Sequence, residues 1–291
     1  MRITRIVTTM TAATLLVGAL AACGSSASKA SSSAAGGAAS GAAGAPAAGL
    51  GGDPKTELLA AAAVMQKAGS AKLTVSSPGT TSNDGSGVYA WGSKPRLDLA
   101  EQGTGGTAMK IRVVDDAVYL GVPDAQVAAA GGKHWVKLPS GSGAGGGMGA
   151  SFQALALMLD PAAQLTVAAQ NGTLKKVGAE TVDGAQTQHY QSTMPTETLV
   201  KSVPNLSAEQ RTAVLGVLKE DGSTVVSDFW LNSKRQLVQQ KEDGADGASP
   251  SSGGATSTKY SDFGVQVNVA TPAATDLADP SEALKLLGNL N

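Results

Sequence analysis

Cysteine is nearly absent. Cys23 is the only one in 291 residues, so no disulfide, no cysteine-based metal site and no redox pair can form within the chain. Aromatic residues are also scarce, at three Trp, four Tyr and three Phe. The core is therefore expected to consist mainly of Val, Leu and Ala. Histidine occurs only as His134 and His189, without the H-x-x-x-H or H-E-x-x-H spacing of a zinc site. There is no G-x-S-x-G nucleophile elbow and no glycine-rich loop ending in Gly-Lys-Ser/Thr. Basic clusters are missing, which argues against nucleic acid as a partner. The acidic pairs Asp115-Asp116 and Glu242-Asp243 sit at strand ends and read as solvated turns. A lone strand histidine reads as a hydrogen-bonder or a surface residue. The expectation is a protein that is not an enzyme and holds no metal or cofactor.

What is present begins at the N-terminus. Arg2 and Arg5 precede a mostly apolar run from Ile6 to Leu20, followed by small residues, the layout of a secretory signal peptide. At about 15 residues the run is short for a spanning helix, which needs about 20. Later in the chain nothing approaches 18 consecutive apolar residues. Leu20-Ala21-Ala22-Cys23 has the pattern of a lipobox. Cleavage before Cys23 would leave a thiol to carry diacylglycerol, whose two acyl chains, such as palmitate, meet the two-signal requirement of a stable anchor. Removing residues 1–22 takes away two of the 22 basic residues, leaving 20 against 23 acidic ones. Residues 24–52 are almost entirely Gly, Ala and Ser, too polar and small to offset their ordering entropy. They read as a tether with an end-to-end distance of about 30 Å. The expected organisation is a signal peptide (1–22), a flexible tether beginning at the lipidated cysteine (23–52) and one folded domain (53–291). The expected address is the extracytoplasmic face of the cell membrane, lipid-anchored.

The folded part opens with a helix over about 54–68, capped by Asp53, started by Pro54 and stopped by Gly69. The period then changes from helical to two. Segments around 72–76, 88–91, 96–99, 109–113, 118–120 and 134–138 alternate apolar and polar and predict an antiparallel meander with one covered face. Residues 141–149 read as a glycine-rich loop. A helix carrying Phe152, Leu155 and Leu159 on one face follows. Asp160-Pro161 starts a second helix, to about 169. Strands at 174–182 and 187–191 meet at Asp183-Gly184, a hairpin signal. Pro195 starts a helix to 203, and Ser207-Ala208-Glu209-Gln210 is a capping box leading a helix with Val214, Leu215 and Leu218 inward. Strands at 225–231 and 236–241 form a hairpin. Residues 244–257 read as another loop, Lys259 to Val269 as the closing strand, and 280–289 as a short helix. This order predicts an α+β fold, a curved antiparallel sheet wrapped around helices.

Three segments then become recognisable together: Val182 to Tyr190 (VDGAQTQHY), Asp228-Phe229-Trp230-Leu231-Asn232, and Tyr260-Ser261-Asp262-Phe263-Gly264 with the Val-Ala-Thr-Pro that follows. With the lipobox, the chain resembles the LppX/LprG family of actinobacterial lipoproteins over about residues 53–290. The resemblance implies a LolA-like half β-barrel around helices, binding acylated lipid or glycolipid in an apolar hollow and carrying it within the cell envelope. It carries no catalytic residues. The long glycine-rich loops and the short helix after the first meander depart from the family's better-known members.

The residues expected to line such a hollow are Leu97, Leu99, Met109, Ile111, Val113, Val136, Phe152, Leu155, Leu159, Phe229 and Leu231. Their pattern suits two readings, since burial in protein and burial against lipid select the same residue types. They form either a plain core or a cavity wall, and the resemblance favours the wall. A glycine-rich loop at 141–149 could then gate the mouth. A monomer is expected. The alternative function is a ligand-free surface lipoprotein acting as scaffold or sensor through protein partners, with an exposed apolar patch.

Overall fold

The computed structural model describes residues 51–76, 84–102, 108–139, 146–220, 222–244 and 255–279. The expected signal peptide, lipobox, C-terminal helix and all of the tether but Gly51 and Gly52 lie outside these residues. The first element is α1 (Pro54–Ala68). Asp53 accepts from the Thr56 N–H at 3.2 Å, and Pro54 occupies a position whose N–H would lack a helical partner. Gly69 ends the helix at φ 69°, its N–H donating to Met65 O. The left-handed backbone there favours glycine.

Six strands follow: β1 (Ser70–Ser76), β2 (Asp84–Ala90), β3 (Arg96–Gln102), β4 (Ala108–Val114), β5 (Ala117–Gly121) and β6 (Trp135–Lys137). Each pairs antiparallel with the next. Asp115 and Asp116 both adopt positive φ, 53° and 58°, and make the two-residue turn that matches strand twist. The chain then enters α2 (Gly146–Met158) and α3 (Pro161–Asn171). The Asp160 carboxylate accepts from the Ala162 and Ala163 N–H groups at 2.9 and 3.1 Å. The hairpin β7 (Thr173–Val182) and β8 (Ala185–Pro195) turns at Asp183-Gly184. Two helices come next, α4 (Thr196–Ser202) and α5 (Ala208–Glu220). The capping box at α5 is reciprocal: Gln210 N–H donates to Ser207 Oγ at 3.1 Å, and Ser207 N–H to Gln210 Oε1 at 2.8 Å. β9 (Thr224–Asn232), β10 (Leu237–Gly244) and β11 (Thr256–Ser261) close the sheet.

The eleven strands form one sheet in the order β6-β5-β4-β3-β2-β1-β11-β10-β9-β8-β7. The β1–β11 pairing joins the first strand to the last. β6 and β7 are the two edges, so the sheet curves without closing. This is the half-barrel α+β architecture expected from the sequence. Its inner face and the helices share one large core that includes Leu58, Met65, Leu73, Tyr89, Leu97, Leu165, Tyr190, Phe229 and Leu237. No single helix among the described residues is long and apolar enough to cross a membrane.

Two expectations need correction. Residues 265–269 are not part of a strand. They alternate as a strand would, but Gly264 turns at φ 79° and directs the chain across the outer face of the sheet. There Val267 and Val269 pack with Val114, Ala117, Tyr119 and Trp135. Ser70 Oγ donates to Val265 O at 2.6 Å and Arg112 Nη1 to Ala270 O at 3.0 Å. The alternation reports one covered face, which a strap provides as well as a sheet. The second correction concerns the glycine-rich loops. Gly146 to Gly149 already belong to α2, and Gly244, Thr256 and Ser257 belong to strands. Residues 141–145 and 245–254, including most of the expected gate, lie outside the described residues.

Candidate functional site: a cavity between two helices and the sheet

A cavity of about 330 Å³ lies between α2 and α5 on one side and β10 and β11 on the other. Its helical wall is mainly apolar, with Ser151 of α2 and Gln164 of α3 as its polar members. α2 contributes Phe152, Leu155 and Met158, the turn after it Leu159, and α5 Val214 and Leu218. The spacing of 152, 155 and 159 places those side chains on one helical face. Leu155 is 44% exposed, a large apolar side chain open to solvent on that wall.

The sheet wall is polar. Gln240 pairs with Thr258 and Glu242 with Thr256 across β10 and β11. These four residues line the cavity from one face of the ladder. Gln240 Nε2 donates to Glu242 Oε1 at 2.9 Å. Burial raises the Glu242 carboxyl above its ordinary pKa, opposed by that hydrogen bond. Tyr260 and Gln164 fix the helices to this end: Tyr260 Oη donates to Leu159 O at 3.0 Å and Gln164 Nε2 to Met158 O at 2.6 Å. Burial holds the Tyr260 hydroxyl far above its usual range, with the Glu242 and Asp160 carboxylates adding to the shift.

Of the residues expected to line a hollow, Phe152, Leu155 and Leu159 do so. Leu97, Leu99, Ile111, Val113, Phe229 and Leu231 are buried among core side chains, and Met109 packs partly buried against them. Val136 belongs to a separate small cluster with Val122 and Ala278. None of these eight lines the cavity. The sequence reading missed Met158, placed Val214 and Leu218 in the core rather than at a cavity, and missed the whole polar wall. Glu242 is not a solvated turn residue, although its neighbour Asp243 is exposed. The signal was β10 itself: Leu-Val-Gln-Gln-Lys-Glu-Asp-Gly has polar side chains in both phases of a period-two strand.

The histidines do other work. His189 stands on the outer face of the sheet, 8% exposed. Its Nδ1 is 2.8 Å from Glu180 Oε1 and its Nε2 is 2.7 Å from Asp228 Oδ1. Its ring stacks on Trp230 at 4.3 Å, and Trp230 Nε1 donates to Glu180 Oε2 at 2.7 Å. Both ring nitrogens are engaged, so neither is offered to a substrate. His134 bonds Asp276 Oδ1 at 2.8 Å and is more than half exposed. Among the described residues no group of three or more His, Asp or Glu could hold a metal ion.

The fold and its cavity define a class: an open antiparallel half-barrel with helices in its hollow and an amphipathic cavity between them. No protein-family profile matches the chain. It is 32% identical over 192 residues to a 31.2 kDa protein of Streptomyces griseus encoded between rplA and rplJ, covering 65% of this chain and 62% of that one. A Streptomyces coelicolor protein named as a candidate lipoprotein is 31% identical over 191 residues, covering 64% and 56%. The chain thus spans less than two thirds of these relatives' length. Among solved structures, it is similar to LprF from Mycobacterium bovis, with a TM-score of 0.48 and 13% identity over 76% of this chain and 97% of that one.

Proposed function

We propose that this protein is an envelope lipoprotein, tethered through Cys23, that binds one acyl chain of a lipid in the cavity between α2, α5 and the sheet. The cavity carries the reading. Six apolar side chains from α2, the turn after it and α5 face it, and each methylene buried there contributes about 0.8 kcal/mol. A volume near 330 Å³ is at the low end of the ~300–1,000 Å³ of small-molecule sites. That favours a single chain over a multiply acylated glycolipid. The lipobox pattern at Cys23, and the Streptomyces relative named as a candidate lipoprotein, support membrane attachment at the extracytoplasmic face. A carrier working at a membrane needs little more than a dry groove and a leash. Carriage of the lipid from one membrane site to another is part of the proposal.

The test is lipid extraction and native mass spectrometry of the full chain carrying Cys23→Ser, purified without detergent from a secreting host. Acyl lipid bound at one molecule per protein is the expected result. Protein free of lipid that also takes up none from added vesicles would overturn the reading.

A further inference from the structure

The polar wall of the cavity has no role in holding a hydrocarbon chain. Gln240 is 6% exposed, and its two amide ends differ. Nε2 is committed to Glu242 Oε1, while Oε1 is buried with no hydrogen-bond partner. A buried acceptor left unpaired is costly and rare in native proteins. It lies directly across from Thr258 and two residues from Glu242, whose carboxylate is also an acceptor, and all three line the same cavity. An apolar chain passing this wall would leave the acceptors unmet. An anionic head would meet the Glu242 carboxylate.

Resting on the lipid-binding reading above, we infer that Gln240 and Glu242 form a head-group subsite that selects lipids bearing hydrogen-bond donors, hydroxyl or amine, next to the acyl chain. Phe152, Leu155 and Leu159 opposite hold the chain, and the sheet wall reads the head. Binding then discriminates by what would be left unpaired: a lipid lacking the donor buries the Gln240 carbonyl a second time without a partner, a penalty that sites built for a hydroxyl exploit.

Four probes with one oleoyl or oleyl chain separate the possibilities: monooleoylglycerol, oleylamine, methyl oleate and oleate. They are titrated against the full chain carrying Cys23→Ser. The expected result is binding of monooleoylglycerol or oleylamine about 10-fold tighter than methyl oleate, the scale of one hydrogen bond to a charged or buried acceptor, with oleate weakest. Whichever of the two donors binds tighter identifies the head as hydroxyl or amine. In Gln240→Leu/Glu242→Leu the preference over methyl oleate should vanish, with methyl oleate itself held as well or better. Glu242→Gln keeps an acceptor and should relieve only the rejection of oleate. An unchanged thermal transition shows that each variant is folded. If methyl oleate binds wild type as tightly as the donor probes, or the preference survives the double substitution, the subsite is refuted while lipid binding stands. Failure of all four probes to bind would overturn both.

Discussion

At the scale of single residues, His189 shows how a sparse residue type is used. Burial alone would lower its pKa, but hydrogen bonds to Asp228 and Glu180 and their charges outweigh it and leave the value raised. The hydrogen bond to His189 lowers Asp228 against its own burial, and bonds from Trp230 and His189 lower Glu180. A raised histidine contributes stability that is full below its unfolded value of about 6.5 and is lost as pH rises through the folded one. The lowered carboxylates contribute above their ordinary values near 4 and lose it as pH falls. The cluster is thus strongest from about pH 4.5 to 6.5. Replacing His189 with Ala should cost about 2–3 kcal/mol at pH 5.5, since it leaves Asp228 mostly buried without its cation. Urea unfolding at pH 5.5 and 8.5 should show the gap between wild type and variant narrowing at the higher pH; an equal gap at both would mean that the ring is neutral in the folded protein. A second buried charge has a different use. Glu57 on α1 pairs with Arg235 Nε at 2.8 Å and pins the first helix to the β9–β10 turn. Burial, then the Glu57 charge, push the nearby Tyr190 hydroxyl up to about 12, against the opposing pull of Arg235.

At the scale of elements, local rules and the pairing of neighbouring strands were legible, and pairing between strands distant in sequence, such as β1 with β11 and β8 with β9, was not. Asp53, Asp160 and Ser207 each cap the helix that the sequence assigns them, because capping is chemistry within four residues. The Asp183-Gly184 turn, at φ 49° and 80°, follows from backbone preference alone. Residues 265–269 show the limit. Their alternation is real, but what covers them depends on a neighbour distant in sequence. That neighbour is Arg112, which bonds Asp98 Oδ2 through Nη2 at 2.6 Å and Nε at 3.1 Å. Its guanidinium also sits 4.4 Å from the Trp135 ring centroid, and it donates to Ala270 O. Substitution Arg112→Ala removes an ion pair, a cation–π contact and a strap anchor together. Each contributes up to about 1 kcal/mol at a partly exposed site, so a loss of about 1–2 kcal/mol is expected. Hydrogen exchange should locate it, with faster exchange at Ala278, whose N–H donates to Trp135 O. Unchanged protection there would show that the apolar contacts hold the strap unaided.

At the scale of the whole molecule, the half-barrel was readable from the order of periods: helical, two, helical, two, helical, two. The position of the cavity was not. Pattern marks which side chains face inward, but an inward residue can meet a neighbour or a void, and only the packed structure separates Leu97 in the core from Leu159 at the cavity. The same ambiguity hid Glu242, which looks like a surface residue in sequence and lines the interior in three dimensions. Tyr260 and Gln164 brace the cavity at the α2–α3 junction, so emptying or filling it should leave the sheet intact. The most direct measurement is therefore titration of a fluorescent acyl probe into the full chain carrying Cys23→Ser, alone and with Leu218→Trp added to fill the cavity from α5. One saturable site, and affinity reduced at least ~10-fold by the added indole, which displaces several methylenes at ~0.8 kcal/mol each, is the result this account predicts. Equal probe binding by both proteins, with both folded, would contradict it.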